Sequence, residues 1–339
     1  RDITRQQGIK ESLYLYLLKK REETAITLGM SSPNAKIVEK AYTSNDPVNP
    51  RKTIVYLAAL FFGFSIPILV IYIIDILDTK IHTKKDLEKT INAPFIGDIP
   101  KSDTKKKNRL ISKVDYSPKA EAFRILRTNI SYALRNKKDK LANTIFVTST
   151  TSQEGKSHTS TNLASSLSYS NLKVLLIETD IRVPKIAEYL NLKNSDGITD
   201  FIINEKLVVN EIVTNVPNNN YLDVICAGTI PPNPSELLMS DRVQCLFDNV
   251  KKSYDYIIVD TAAVGLVTDT LLISHFADMF IYVVSANNID KRQLNVAQDM
   301  YNDNRLPNMS LLLNGTKKKS GYGYGYGSNP KEKKWYKFS

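Results

Sequence analysis

The chain has 339 residues, 42% of them hydrophobic, which is enough to enclose a full α/β domain and leave further segments over. Its formal charge of +11 is gathered into blocks such as Lys105-Lys106-Lys107 and Lys317-Lys318-Lys319, and no nucleic-acid motif accompanies them. The blocks therefore suit anionic lipid heads or a solvated linker rather than nucleic acid. Cys226 and Cys245 match no metal-ligand spacing and read as reduced core thiols in a part that faces the cytosol.

The first residue is Arg1, not Met, and a helix-like pattern is already under way there, as in a piece of a longer protein. Gly8 to Leu28 predicts a helix with apolar positions at Ile9, Leu13, Tyr16, Leu17 and Leu18, a stripe too narrow to bury itself without a partner helix. Ala35 to Ala41 reads as a short strand, and Pro47 and Pro50 lead into Thr53 to Ile74. That stretch holds 22 residues without a charge, against the roughly 20 that cross a bilayer. It predicts a transmembrane helix bounded by Arg51-Lys52 and Asp75 and kinked at Pro67; the alternative is a buried helix of a soluble domain. A short amphipathic stretch, Asp86 to Ile91, and a polar linker from Lys101 to Lys113 follow.

From Ser117 onward the pattern changes. Glu121 to Leu134 predicts a helix, and apolar runs predict strands near 144–148, 174–178, 221–226, 255–260, 279–284 and 309–313, with helical segments between most of them. Such alternation argues for a doubly wound parallel sheet. Pro231-Pro232-Asn233-Pro234-Ser235-Glu236 suits a loop entering a helix, with Asn233 as N-cap, Pro234 at the first helical position and Glu236 closing a capping box. The expected division is 1–52, 53–75 (transmembrane), 76–116 (linker), 117–315 (α/β domain) and 316–339 (tail).

Gly155-Lys156-Ser157 lies between the run Thr144–Thr148 and the helix-compatible Thr159–Tyr169. A strand that turns through a loop into a helix aims backbone N–H groups and a helix dipole at one point, a seat for phosphate. Lys156 would reach the β- and γ-phosphates and the Ser157 hydroxyl would ligate Mg²⁺. Val174–Ile177 runs into Glu178 and Asp180, and Tyr256–Val259 into Asp260. Ligands gather outside the carboxyl ends of parallel strands, so a lysine, a serine and three acids arriving there predict a Mg–nucleotide site. The alternative, that these acids merely cap the following helices, accounts for each singly but not for all three ending alike. Basic residues flank the apolar helix on both sides, so charge does not orient it. Because ATP is cytosolic, the nucleotide domain is expected inside and residues 1–52 outside.

Together these segments resemble the bacterial tyrosine kinases of polysaccharide export. The resemblance implies a MinD-like P-loop parallel sheet with flanking helices, preceded by one transmembrane helix and an extracytoplasmic helical stalk fragment. Residues 8–24 are similar to the end of that family's chain-length-determinant region, and Glu121-Ala122-Phe123-Arg124-Ile125-Leu126-Arg127 to its ring-assembly helix. Thr148–Ser157, Val174–Pro184 and Tyr254–Asp269 are similar to its Walker A, A′ and B segments. The resemblance implies Thr151, Ser152, Gln153, Glu154, Gly155, Lys156, Ser157 and His158 as the nucleotide loop; Asn314, at the end of a late strand, is a candidate adenine contact by its position alone. It implies Ser157, Glu178, Asp180 and Asp260 at Mg²⁺, and Lys156, Glu178, Asp180, Arg182 and Asp260 in catalysis. Its further implications are ATP and Mg²⁺ as cofactors, the inner membrane as location, and a homo-oligomeric ring through Glu121, Arg124 and Arg127. Export machinery and a tyrosine phosphatase are the implied partners.

Three departures stand out: Glu178 where Asp is usual, Gln153 where Gly is common and a stiffer loop is expected, and Ala262-Ala263 in place of two prolines. The segment Gly321–Gly327 alternates Gly and Tyr and cannot form a packed core, which suits a kinase substrate. Tyr322, Tyr324, Tyr326 and Tyr336 are the expected phosphoacceptors, presented to a neighbouring subunit. The rival expectations are a MinD-like ATPase and an ATP-binding export scaffold without turnover.

Overall fold

The computed structural model describes residues 1–30, 39–40, 42–43, 49, 51–101, 110–135, 141–193 and 195–317. The four expected phosphoacceptor tyrosines and most of both the expected strand Ala35–Ala41 and the linker Lys101–Lys113 lie outside the described residues. The chain divides into two compact units, Arg1–Asp75 and Ile76–Ser339.

The first unit supplies two long helices, α1 (Asp2–Met30) and α2 (Lys52–Leu77). None of the residues of α1 is buried, so its apolar positions remain uncovered among the described residues. The helix α2 is long and apolar enough to span a bilayer and continues through Pro67, and none of its residues is buried either.

The second unit is built on an eight-stranded sheet. In chain order its strands are β1 (Phe95–Pro100), β2 (Asn143–Ser149), β3 (Val174–Glu178), β4 (Thr214–Asn215), β5 (Leu222–Ile225), β6 (Tyr256–Asp260), β7 (Met279–Ser285) and β8 (Ser310–Thr316). The spatial order is β1-β8-β7-β2-β6-β3-β5-β4, and only the pair β4–β5 is antiparallel. Every residue of β3 and β6 is buried, which is why both read as continuous β-branched and aliphatic runs instead of alternating ones. On one face, Phe123 and Leu126 of α4 (Pro118–Ala133) and Leu163 and Leu167 of α5 (Lys156–Ser168) share a core with Val147 and Ile258. On the other, Phe146, Phe247 and Phe280 anchor a second core.

The stretch 76–116, expected as a linker, is folded in its first part. Ile81, Leu87 and Ile91 are at most 1% exposed, a seven-residue helix α3 (Lys84–Thr90) is closed by a capping box of Thr83 and Asp86, and β1 pairs with β8. Gly97 and Pro100 interrupt β1 in sequence, so it carries no strand-like run. Two smaller expectations also change. Asn233 makes no side-chain cap bond and no capping box forms; Pro234 does hold the first helical position, and in the same turn Ser235 directs its hydroxyl to Asp269. Cys226 is buried, but Cys245 is exposed, since Val243, Leu246, Phe247 and Val250 take the inward positions of its helix.

Candidate functional site

Because β2, β3 and β6 are parallel neighbours, their carboxyl ends open on one edge, and the chain places its charged residues there. The strand β2 ends at Ser149, the loop Thr150–Gly155 turns, and α5 begins at Lys156. Gly155 caps that helix with φ 96°, and a Cβ there would come within 2.1 Å of the Asn314 amide nitrogen. Glycine is required twice over, by torsion and by space. Gln153 also adopts the left-handed region, with φ 65°, so the expectation that it restricts positive φ is corrected. The loop turns there regardless, at a steric cost of about 1–2 kcal/mol.

Two acids of the motif face away from the opening. Glu154 is 1% exposed and accepts from the Thr151 amide (2.6 Å), the Thr151 hydroxyl (3.0 Å) and the Ser285 amide (3.1 Å). Glu178, also 1% exposed, accepts from the amides of Lys185, Ile186 (2.8 Å) and Ala227 (3.2 Å). Its carboxylate secures the segment after β3, and the structure does not bring it to the cleft. Burial pushes both carboxyls up, against the pull of these amide donors. Asn314 does not open onto the cleft either: its side-chain nitrogen donates to the Glu154 carbonyl at 2.9 Å, under the loop.

Lys156 is 6% exposed, and its Nζ lies 3.5 Å from the Thr151 carbonyl. Asp260 is fully buried, accepts from the Ser160 hydroxyl at 2.8 Å and stands in register with Glu178. Burial, with the Glu178 charge adding to it, pushes its pKa up to about 7, while hydrogen bonding from Ser157 and Ser160 and the charge of Lys156 pull the other way. The second carboxylate oxygen of Asp260 has no protein partner. A buried carboxylate oxygen left open beside a serine hydroxyl and a lysine fits a hydrated magnesium ion, which takes one or two carboxylates and completes its shell with water and phosphate. Glu178, Asp180 and Asp260, expected together at the metal, do not form a cluster suited to hold one, and no other group of three His, Cys, Asp or Glu side chains does so among the described residues.

Lys156 opens onto a cleft of about 600 Å³ lined also by Ser152, Gln153, Gly155, Ser157 and His158 and by Asp180, Arg182, Tyr189, Ala262 and Leu266; Asp260 is not part of this lining. Asp180 accepts from the Val183 amide at 3.2 Å, and burial raises its pKa. Arg182 is held by Asp269 through two bonds, 2.6 and 3.1 Å, and contacts the Ser235 hydroxyl at 3.1 Å. His158 lies between the rings of Phe123 and Tyr189, and burial, reinforced by Lys119, pushes its pKa down to about 3, so it serves as a neutral wall.

On α4, Glu121 pairs with Arg124 at 2.9 Å, and Arg124 also donates to the Asp115 carbonyl at 2.7 Å. Arg127 donates to the Ser166 carbonyl at 2.8 Å and to the Ser170 hydroxyl. Sequence reasoning missed Ser160, Tyr189, Asp269 and Ser285. Ser160 alone carried a signal, since it follows Ser157 by one helical turn.

Family profiles match two stretches of the chain. A family profile described as "AAA domain" matches residues 142–295, and one described as "G-rich domain on putative tyrosine kinase" matches residues 2–74. The tyrosine-protein kinase ptk of Acinetobacter johnsonii is 29% identical over 331 residues, which cover 94% of this chain and 44% of that protein. The chain thus spans less than half the length of this curated relative. Among solved structures, the chimerical protein CapA2B2 is 30% identical with a TM-score of 0.62, the match covering 70% of this chain and 100% of that one. The kinase domain of Escherichia coli tyrosine kinase ETK is 25% identical with a TM-score of 0.62, covering 73% and 100%. A nucleotide-binding fold, of the kind that generally works with Mg²⁺, is what these matches and the sheet edge have in common.

Proposed function

The chain belongs to the bacterial tyrosine kinase family, and from that premise we propose that it is an ATP-dependent kinase that phosphorylates tyrosines in the C-terminal segment of neighbouring copies. The acceptors are Tyr322, Tyr324, Tyr326 and Tyr336. The helix α2 anchors the chain in the inner membrane, with residues 1–52 outside and the sheet domain in the cytosol, and the whole serves polysaccharide export. Copies assemble through α4, on which Glu121, Arg124 and Arg127 lie.

One observation carries this reading: Lys156 and Ser157 line a cleft together with Asp180 and Arg182, and Asp260, fully buried and acted on by both Ser157 and Lys156, keeps one carboxylate oxygen without a protein partner. Magnesium, when bound by Ser157 and Asp260, supplies neutralisation of charge on the β- and γ-phosphates. Lys156 and the amides of the loop orient those phosphates, and little else is asked of the protein, because phosphoryl transfer needs mainly positioning and electrostatic stabilisation. The phenol must lose its proton. Asp180 lines the cleft and carries a raised pKa, which suits it to accept that proton, whereas Glu178 is engaged by three amides elsewhere.

The test is incubation of the purified chain with ATP and Mg²⁺ followed by mass spectrometry. Phosphate on the terminal tyrosines is the expected result. Release of inorganic phosphate without protein labelling would leave an ATPase of the same fold, and neither product would leave an ATP-binding scaffold.

A further inference from the structure

Val183 and Leu266 do not fit the polar character of the cleft they line. Both are apolar side chains left largely in the open, at 59% and 61% exposure, and neither belongs to either core of the sheet domain. A single valine or leucine at a surface needs no explanation. Two of them in a cleft that also holds a lysine, an arginine and an aspartate mark where a bound molecule is apolar. The phosphates of ATP have no use for such a surface.

The backbone fixes both positions. The Val183 amide donates to Asp180 at 3.2 Å, so Val183 belongs to the turn that carries the acid assigned to the phenol proton. Leu266 lies on the turn after β6, where its amide and that of Val267 donate to the Ala263 carbonyl at 3.0 and 3.2 Å. Gly265, just before it, packs so closely on the start of the phosphate loop that a Cβ there would come within 2.3 Å of the Thr150 carbonyl oxygen. Arg182, adjacent to Val183, then joins the two turns through its bonds of 2.6 and 3.1 Å to Asp269, which also accepts from Ser235 at 2.7 Å. Two apolar side chains on separate loops are thereby held at a set spacing, one next to the acid and one next to the phosphate loop. A surface ordered before its ligand arrives binds at a lower entropic cost.

Resting on the kinase reading above, we infer that Val183 and Leu266 form the subsite for the aromatic ring of the acceptor tyrosine. The occupant is the segment Gly321–Gly327 of a neighbouring copy, in which glycines flank every phenol, so no adjacent side chain obstructs entry of the ring. A tyrosine carries its hydroxyl at the far end of a flat ring. With that ring packed on Val183 and Leu266, the hydroxyl extends beyond them to Asp180 and Lys156, which line the same cleft. A serine hydroxyl is one bond from Cβ; to reach Lys156, which is 6% exposed, serine would have to bring its backbone into the cleft and would leave both apolar surfaces uncovered.

Transfer between full-length chains in detergent tests this. The acceptor is a Lys156→Met chain with its tyrosines intact, and the enzyme carries Tyr322→Ala, Tyr324→Ala, Tyr326→Ala and Tyr336→Ala, so that label reports transfer alone. In that enzyme Val183→Ser and Leu266→Ser should each raise KM for the acceptor chain about tenfold, through loss of apolar contact, with kcat held within about twofold. The dissociation constant of a fluorescent ATP analogue in Mg²⁺ and the thermal midpoint should not move, and Leu266→Met, equally apolar, should keep the parental KM. An unchanged KM in either serine variant would overturn the inference, as would a fall in kcat alone. Loss of affinity for the ATP analogue would also overturn it, by assigning the two side chains to the nucleoside. If the analogue binds but the parent enzyme labels no acceptor, the kinase reading fails, and this inference with it. Should a serine variant lose its unfolding transition, Val183→Ala or Leu266→Ala takes its place under the same criteria.

Discussion

At Asp260 the chemistry of the site and the stability of the fold oppose each other. Its folded pKa of about 7 stands above the ordinary 3.8, so between those values the folded chain holds a proton that the unfolded chain has released. Stability of the nucleotide-free chain therefore declines as pH rises through that window, by a few kcal/mol in order of magnitude. Asp260→Asn removes this dependence: its thermal midpoint at pH values above 7 should equal or exceed that of the parent, while the stabilisation conferred by Mg–ATP disappears. Gly155→Ala acts in the opposite sense. With φ 96° and a 2.1 Å approach to the Asn314 side-chain nitrogen, it should distort the loop and lower nucleotide affinity by about tenfold or more, as read by titration with a fluorescent ATP analogue in Mg²⁺. Lys156, Ser157 and Asp260 were legible in the sequence because strand ends and helix starts fix where such side chains go. Glu154 and Glu178 were not, since their carboxylates turn back onto backbone amides whose positions depend on the finished loops.

Among the elements, the turn after α2 is the one that pH should loosen. Asn287 and Asp78 accept at the two nitrogens of His82, with Asp86 nearby and Lys291 close to the two acids, and the bond to Asn287 raises the His82 pKa most. A raised folded pKa means that the contribution to docking is complete below 6.5 and is lost as pH rises through the folded value. Hydrogen exchange at the Ile81 and Asn287 amides should accelerate relative to the core between about pH 6 and about pH 8, and His82→Ala should abolish that difference. Six of the parallel strands were readable from apolar runs, and α2 from its length. The strand β1 escaped, because Gly97 and Pro100 break its pattern and only pairing with β8 makes it a strand. The two-residue β4 has too little sequence to carry a period at all.

For the whole molecule the sharpest prediction concerns which copy acts on which. A Lys156→Met chain with its tyrosines intact, mixed with an active chain cut after Lys317, should become phosphorylated; if it stays unlabelled, transfer between copies is wrong. Between Lys317 and Phe338 seven lysines and one glutamate give a net charge of +6, and four phosphates of about −1.5 to −2 each would cancel it. Phosphorylated and all-Phe chains should then differ in oligomer size by light scattering, the phosphorylated one being smaller. How copies meet is narrowed further by the rims of the sheet. One rim is β4, two residues long, and the other is β1, where Gly97, Asp98 and Pro100 accompany two breaks in register. Neither offers a ladder that a second molecule can extend, so crowding on a membrane does not invite strand-to-strand stacking into fibres, and self-association is left to surfaces that can also let go.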